Sequence, residues 1–257
     1  MIRRLELRNF KGVERGGVEL SPLTILVGPN NSGKTTILEA LFLAPNPFRE
    51  VPYMLGGRPA TAAQLIHSLH RTLESSGYLF LLRAYTANKA EIKWNGISLT
   101  FLKEEGKIKV VVNKRFSKHL RGPIQKLGIR GEAWEVGHLW LNSDGMDYSD
   151  QVKHDFISGN VFLFNSALVE PGFEYLKENW MPIVNSGVCK KVAKEVSELV
   201  QEEYIDLTIE PFLGRLSLNA YLKDGRRMRL RDLGEGVQNY IVARILYESG
   251  NYRVLLW

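Results

Sequence analysis

The stretch whose reading decides the fold is LTILVGPNNSGKTTILEALF, residues 23–42. Leu23, Thr24, Ile25, Leu26 and Val27 make a short apolar run of the kind that fills the middle of a sheet. The run leads directly into Gly28-Pro29-Asn30-Asn31-Ser32-Gly33-Lys34-Thr35, which satisfies G-x-x-x-x-G-K-[ST]. Ile37, Leu38, Leu41 and Phe42 then recur at helical spacing, so strand, glycine loop and helix stand in the order that gives the motif its meaning. Gly28 and Gly33 let the backbone take turns closed to side chains, so that successive N–H groups point inward at phosphate oxygens. Lys34 places an ammonium on the β- and γ-phosphates, the helix start adds the positive end of its dipole, and the Thr35 hydroxyl can ligate Mg²⁺. The candidate nucleotide contacts are therefore Gly28, Pro29, Asn30, Asn31, Ser32, Gly33, Lys34, Thr35 and Thr36.

Upstream, polar residues alternate with Leu5 and Leu7, which predicts a half-buried strand, and Gly12, Gly16 and Gly17 supply turns before a second short strand at Val18 to Leu20. LRNFKGVE, then a strand, then VGPNNSGKTTILEALF resembles the opening of ABC-type ATPase heads of the RecF, SMC and OLD group. The resemblance implies an α/β fold: a P-loop NTPase, ABC ATPase-like core with an N-terminal antiparallel β layer beside the Walker A loop, and ATP with Mg²⁺ as ligands. It also implies a glycine-rich signature loop that, in a nucleotide-bound dimer, reaches the other subunit's γ-phosphate. LRDLGEGVQNYIVARILYESG, from Leu230, is similar to that signature: Gly234, Glu235, Gly236 and Gln238 open a helix with Val237, Tyr240, Ile241, Ile245 and Leu246 at helical spacing. Gly234 stands where many such heads carry serine, so backbone contacts would replace a hydroxyl.

The final residues, NYRVLLW, read as the start of a buried parallel strand. In the resembling heads this strand is followed by the Walker B Asp and a catalytic Glu. The sequence ends at Trp257, so no catalytic residue is assigned within it, and the C-terminal part of the core is expected to lie elsewhere. The expectation is nucleotide binding with negligible turnover by these 257 residues alone, hydrolysis requiring a complementary C-terminal polypeptide. Residues 1–48 are read as the β layer and Walker A lobe, 49–204 as an α+β insertion, and 205–257 as return strands, signature and truncated Walker B strand.

Composition is that of an ordinary folded chain, 44% apolar and 24% charged. A single cysteine, Cys189, excludes an internal disulfide framework, and no apolar run approaches the roughly 18 residues of a membrane span. These features predict a cytoplasmic protein with no membrane partner. The net charge of +6 permits an anionic partner without demanding one.

In the middle of the chain, RPATAAQLIHSLHRTLESSG predicts a helix over residues 60–75, with His67 and His70 three apart on it. YLFLLRAYTA, AEIKWNGISLTFL and KIKVVVN predict strands, the Asn-Gly pair marking a hairpin turn. Between Lys107 and Arg130 lie eight lysines and arginines and no acid, a candidate phosphate-backbone footprint in which Phe116 is placed to stack on a base. A solvated basic surface or a dock for an acidic protein fits the same residues. A second basic group, Arg226, Arg227, Arg229 and Arg231, follows an Asp-Gly turn and reads as the exposed face of a strand. VFLFN predicts another strand and KKVAKEVSELVQEE a helix, with no heptad repeat long enough for an SMC-type coiled-coil arm. The resemblance is thus nearer to compact RecF or OLD heads.

Two functions from different classes remain open. One is a portion of an ATPase that dimerises around ATP–Mg, in DNA maintenance or phage defence; the other is a non-hydrolysing ATP-sensing or scaffold module. Adenine follows from the resemblance alone, with Phe10 and Lys11 on the hairpin side where the base would rest.

Overall fold

A computed structural model describes residues 2–71, 77–104, 107–114, 139–142, 145–148, 160–200, 202–250 and 252–257. The chain divides into two compact units that do not follow its order: residues 1–49 with 62–158, and residues 50–61 with 159–257.

The first unit opens with β1 (Arg4–Phe10) and β2 (Val13–Glu19), then α1 (Lys34–Leu43). The chain leaves for the hairpin β3 (Glu50–Leu55) and β4 (Arg58–Thr61), which belongs to the second unit, and returns as α2 (Ala62–His70). It continues with β5 (Lys89–Trp94), β6 (Ile97–Glu104), β7 (Lys107–Lys114), β8 (Leu139–Asn142) and β9 (Gly145–Tyr148). The strands form a seven-stranded sheet in the order β2-β1-β5-β6-β7-β8-β9, every neighbouring pair antiparallel. Period-two alternation sets its faces: Leu5, Leu7, Ile92, Leu99 and Phe101 are buried, while Arg4, Glu6 and Arg8 face solvent. Asn95 and Gly96, both at positive φ, close β5 onto β6 as the hairpin signal predicts.

The second unit contains β10 (Asn160–Leu163), α3 (Val169–Glu178), α4 (Trp180–Asn185), α5 (Val188–Leu199), β11 (Tyr204–Phe212), β12 (Arg215–Leu222), β13 (Arg227–Arg229), α6 (Glu235–Ser249) and β14 (Tyr252–Leu256). α3 and α6 cross closely because α3 presents Gly172: a Cβ there would stand 2.9 Å from Val242 Cγ1 and 3.0 Å from Leu246 Cδ1. The terminal strand forms and pairs parallel with β10, matching Val161 to Val254 and Leu163 to Leu256, but it is not the buried strand expected: Leu256 is buried while Leu255 and Trp257 are 48 and 61% exposed.

Four further sequence expectations require correction. Gly16 and Gly17 are not turns before a strand at Val18 to Leu20; both lie within β2 and pair with Leu7 and Glu6 of β1. Leu23 to Val27 is not a strand: Leu23, Ile25 and Val27 are 79, 76 and 89% exposed and no ladder joins them among the described residues. A strand exists only through a partner, and here local bonds take its place, the Ser21 amide donating to Thr24 Oγ1 and the Thr24 hydroxyl to the Ser21 carbonyl. YLFLLRAYTA forms two short 3₁₀ turns rather than a strand, with Ala84 and Tyr85 at positive φ. An apolar run of that length does not distinguish the two, and the Leu81 carbonyl is instead taken by the Lys11 amide at 3.0 Å. Of the helix expected over residues 60–75, Ala60 and Thr61 belong to β4, α2 runs over Ala62–His70, and residues 72–75 lie outside the described residues.

Candidate phosphate-binding loop and its support

The loop between Val27 and Lys34 is built from unusual backbone conformations. Asn31 and Gly33 have φ of +64° and +88°, and a Cβ on Gly28 would fall 2.8 Å from Ser32 Oγ. Left-handed residues are the kind from which an anion nest is built, and in this loop the Ser32 amide donates to the Pro29 carbonyl at 3.3 Å. Gly33 is the N-cap of α1, the Ile37 amide donates to its carbonyl at 3.0 Å, and no side chain caps the helix start. The first-turn amides are therefore free of side-chain acceptors, as an anion site at a helix start requires. Lys34 curls over the loop: its ammonium donates to the carbonyls of Gly28 and Pro29, both at 2.7 Å, and more distantly to Ser32 Oγ. Thr35 is exposed and Thr36 buried.

Beneath the loop, the buried residues of α1 are apolar except for Thr36 and Glu39, the latter 1% exposed. Its carboxylate accepts from the ammonium of Lys11 and lies 2.7 Å from Nε2 of His70. The same His70 nitrogen is 2.6 Å from Lys11 Nζ. Phe80 closes the cluster, its ring stacked on His70 with centroids 5.0 Å apart and 5.5 Å from the Lys11 ammonium. Burial pulls the Lys11 pKa below the ordinary lysine value, against the opposing attraction of Glu39. Lys11 is thus engaged with an acid, and Phe10, fully buried 5.9 Å from the Phe101 ring, has no face free for a base. The cluster was not visible as a site in the sequence. Its one signal was Glu39 itself, the lone acid in an apolar helix.

The two histidines of α2 do not form a metal pair. His70 is committed to Glu39, while His67 lies against Tyr78 with ring centroids 4.8 Å apart, its pKa lowered first by burial and then by Arg71 and His70. Among the described residues no group of His, Cys, Asp and Glu is arranged to hold a metal. Cys189 is buried, and desolvation followed by the charge of Asp206 pushes its thiol up to about 12, so it is inert.

The signature candidate occupies the start of α6. Gly234 is the N-cap with φ of −58°, and its carbonyl accepts from the amides of Val237 and Gln238. The Gln238 side-chain amide donates to the Leu233 carbonyl at 2.6 Å and the Arg231 carbonyl at 3.3 Å, so it ties the loop to its helix. Gly234, Glu235 and Gly236 are exposed, and a Cβ on either glycine would meet nothing within 4 Å. The neighbouring arginines are each paired: Arg226 with Asp224, Arg227 with Glu210, Arg229 with Asp232 and Arg231 with Glu170. Only Arg227 and Arg229 of this group lie on a strand, β13; Arg226 precedes it and Arg231 sits in the 3₁₀ turn that follows. Of the basic stretch from Lys107 to Arg130, residues 115–130 lie outside the described residues, Phe116 among them.

Residues 1–126, which contain the loop, α1 and the Lys11–Glu39–His70 cluster, match the family described as AAA ATPase domain. This part of the chain is therefore similar to an AAA ATPase domain, and its short matches to OLD and RecF proteins support a head of that kind. Similar proteins include an OLD nuclease from Thermus scotoductus, 51% identical over 43 residues, which are 17% of this chain and 8% of that protein. A DNA replication and repair protein RecF from Chloroflexus aggregans is 55% identical over 42 residues, 16% of this chain and 11% of that one. The head thus spans about a tenth of the curated relatives it matches. No helix among its described residues is long and apolar enough to cross a membrane.

Proposed function

We propose that this head binds ATP with Mg²⁺ in the loop from Gly28 to Thr36, closes around it with a second copy, and serves DNA maintenance. The observation that carries the reading is the conformation of the loop: Asn31 and Gly33 are left-handed just before a helix start that no side chain caps, with Lys34 curled back over the Gly28 and Pro29 carbonyls. A triphosphate outcompetes the Gly28 and Pro29 carbonyls for Lys34, because an anionic oxygen is a stronger acceptor than a neutral one. Lys34 then rests on the β- and γ-phosphates, and the amides from Gly33 onward hold the β-phosphate against the dipole of α1. Mg²⁺, when bound, neutralises charge developing on the phosphates, and the exposed Thr35 hydroxyl is the group of this chain that would hold it. Gly234 and Gly236 leave the start of α6 open to close backbone approach, which suits a contact to the γ-phosphate across a dimer. The link to DNA rests on the names of the OLD nuclease and RecF relatives.

Titration calorimetry with ATP and Mg²⁺ tests the central claim. The wild-type chain is expected to bind, and Lys34→Ala to weaken binding by roughly two orders of magnitude, as loss of a charge-assisted contact to a polyanion implies. An absence of heat with wild-type protein, or a Lys34→Ala variant of unchanged affinity, overturns the reading.

A further inference from the structure

Helix α1 is seated mainly by apolar contacts, through Ala40, Leu41, Phe42 and Leu43, and such contacts fix burial more firmly than orientation. Glu39 is its directional anchor on the side near the loop, while toward the other end buried Arg49 donates to the Phe42 carbonyl at 2.7 Å. Five residues beyond Lys34, Glu39 lies about 7.5 Å further along the helix axis. The two groups that hold it come from different elements, Lys11 from the turn after β1 and His70 from the end of α2.

The turn is shaped to deliver the lysine. Asn9 and Lys11 both sit at positive φ, 48° and 53°, a conformation that side chains adopt at a cost. The bend is fastened by the Lys11 amide to the Leu81 carbonyl and by the bridge of Phe10 to Leu82. The Lys11 and Glu39 side chains are only 11 and 2% exposed. Burying an ion pair rarely strengthens a fold over an apolar pair of the same size, so its presence here calls for a different role.

We propose that Lys11, Glu39 and His70 form a positioning cluster that sets the orientation of α1, and through it the placement of Lys34 and the first-turn amides toward a triphosphate. This rests on the nucleotide-binding reading above. The cluster makes no contact with phosphate itself; it acts through the helix. Since small misplacements at a binding loop carry large penalties, an anchor one and a half turns away is close enough to matter.

The deciding variant replaces both charges by apolar groups of similar size, Lys11→Met with Glu39→Leu. It leaves no buried charge without a partner, whereas Lys11→Met alone strands Glu39 and risks unfolding. The double variant is expected to melt at or above the wild-type temperature yet bind ATP–Mg about tenfold more weakly, and its amides at residues 34–38 to exchange faster without nucleotide. A core substitution of the sheet, Leu99→Ala, serves as the control, lowering the melting temperature with little change in affinity. A folded double variant with wild-type affinity and wild-type exchange in α1 overturns the proposal. Wild-type protein that binds no ATP sinks the nucleotide reading instead, and the exchange comparison still decides whether the cluster orients α1.

Discussion

Gly33 holds φ of +88° where the loop becomes α1, and the same glycine signature recurs at Gly234, which holds φ of −58°. The two are therefore different in kind. At Gly33 an alanine is forced into the left-handed region, a strain of about 1 kcal/mol, or roughly fivefold in an equilibrium constant. At Gly234 the backbone is open to any residue and a Cβ meets nothing within 4 Å. Gly33→Ala is accordingly expected to weaken ATP binding roughly fivefold, read by calorimetry, while Gly234→Ala leaves the melting temperature unchanged, read by circular dichroism. The backbone of the candidate loop was legible because the motif's spacing encodes geometry, and left-handed Gly33 falls where the pattern puts a glycine. Lys11 was not legible as a tether, because nothing local to β1 and β2 announces that its ammonium meets an acid 28 residues away.

At the scale of elements, α5 and α6 are joined by a charged clamp. Arg244 makes two bonds to Glu195, at 2.8 and 2.9 Å, and a third to Glu248 at 2.7 Å, while Lys191 holds the other oxygen of Glu248 at 2.8 Å. Hydrogen bonding from Arg244 foremost holds the Glu195 carboxyl below the ordinary glutamate value near 4.5. A carboxylate depressed on folding contributes stability that is present above its unfolded pKa and lost as pH falls through its folded one. Glu195→Gln is therefore expected to lower stability by about 1 kcal/mol at neutral pH, with the gap from wild type closing as pH drops from about 5 toward 3. Thermal melts across that range check it, and a constant gap contradicts it. The two helices themselves were legible from apolar spacing, as were β5, β6 and β10. The stretch from Leu23 to Val27 was not, because an apolar run states only that burial is favoured and not which strand is present to pair with it.

For the molecule as a whole, chain order and spatial order part company. The hairpin β3–β4 interrupts the first unit in sequence but belongs to the second in space. Tyr53 is the reason: its hydroxyl donates to the Leu163 carbonyl at 2.5 Å, and its ring stacks on Phe162 at 6.1 Å, nearly parallel. A reading of linear segments has no access to that pairing, because the partners are 110 residues apart and neither carries a motif. The consequence is counter to sequence distance. Tyr53 stands 19 residues from Lys34 and far from α3 in the chain, yet a substitution there falls on the second unit. Tyr53→Ala removes a fully buried ring and leaves the Leu163 carbonyl without its donor, a loss of about 3–5 kcal/mol. Hydrogen exchange followed by mass spectrometry is expected to show faster exchange in peptides spanning β10 and α3, while peptides from β5 and β6 keep wild-type protection. Faster exchange in β5 and β6 with β10 and α3 unchanged would assign the hairpin to the first unit, and the division of the chain drawn above would have to be redrawn.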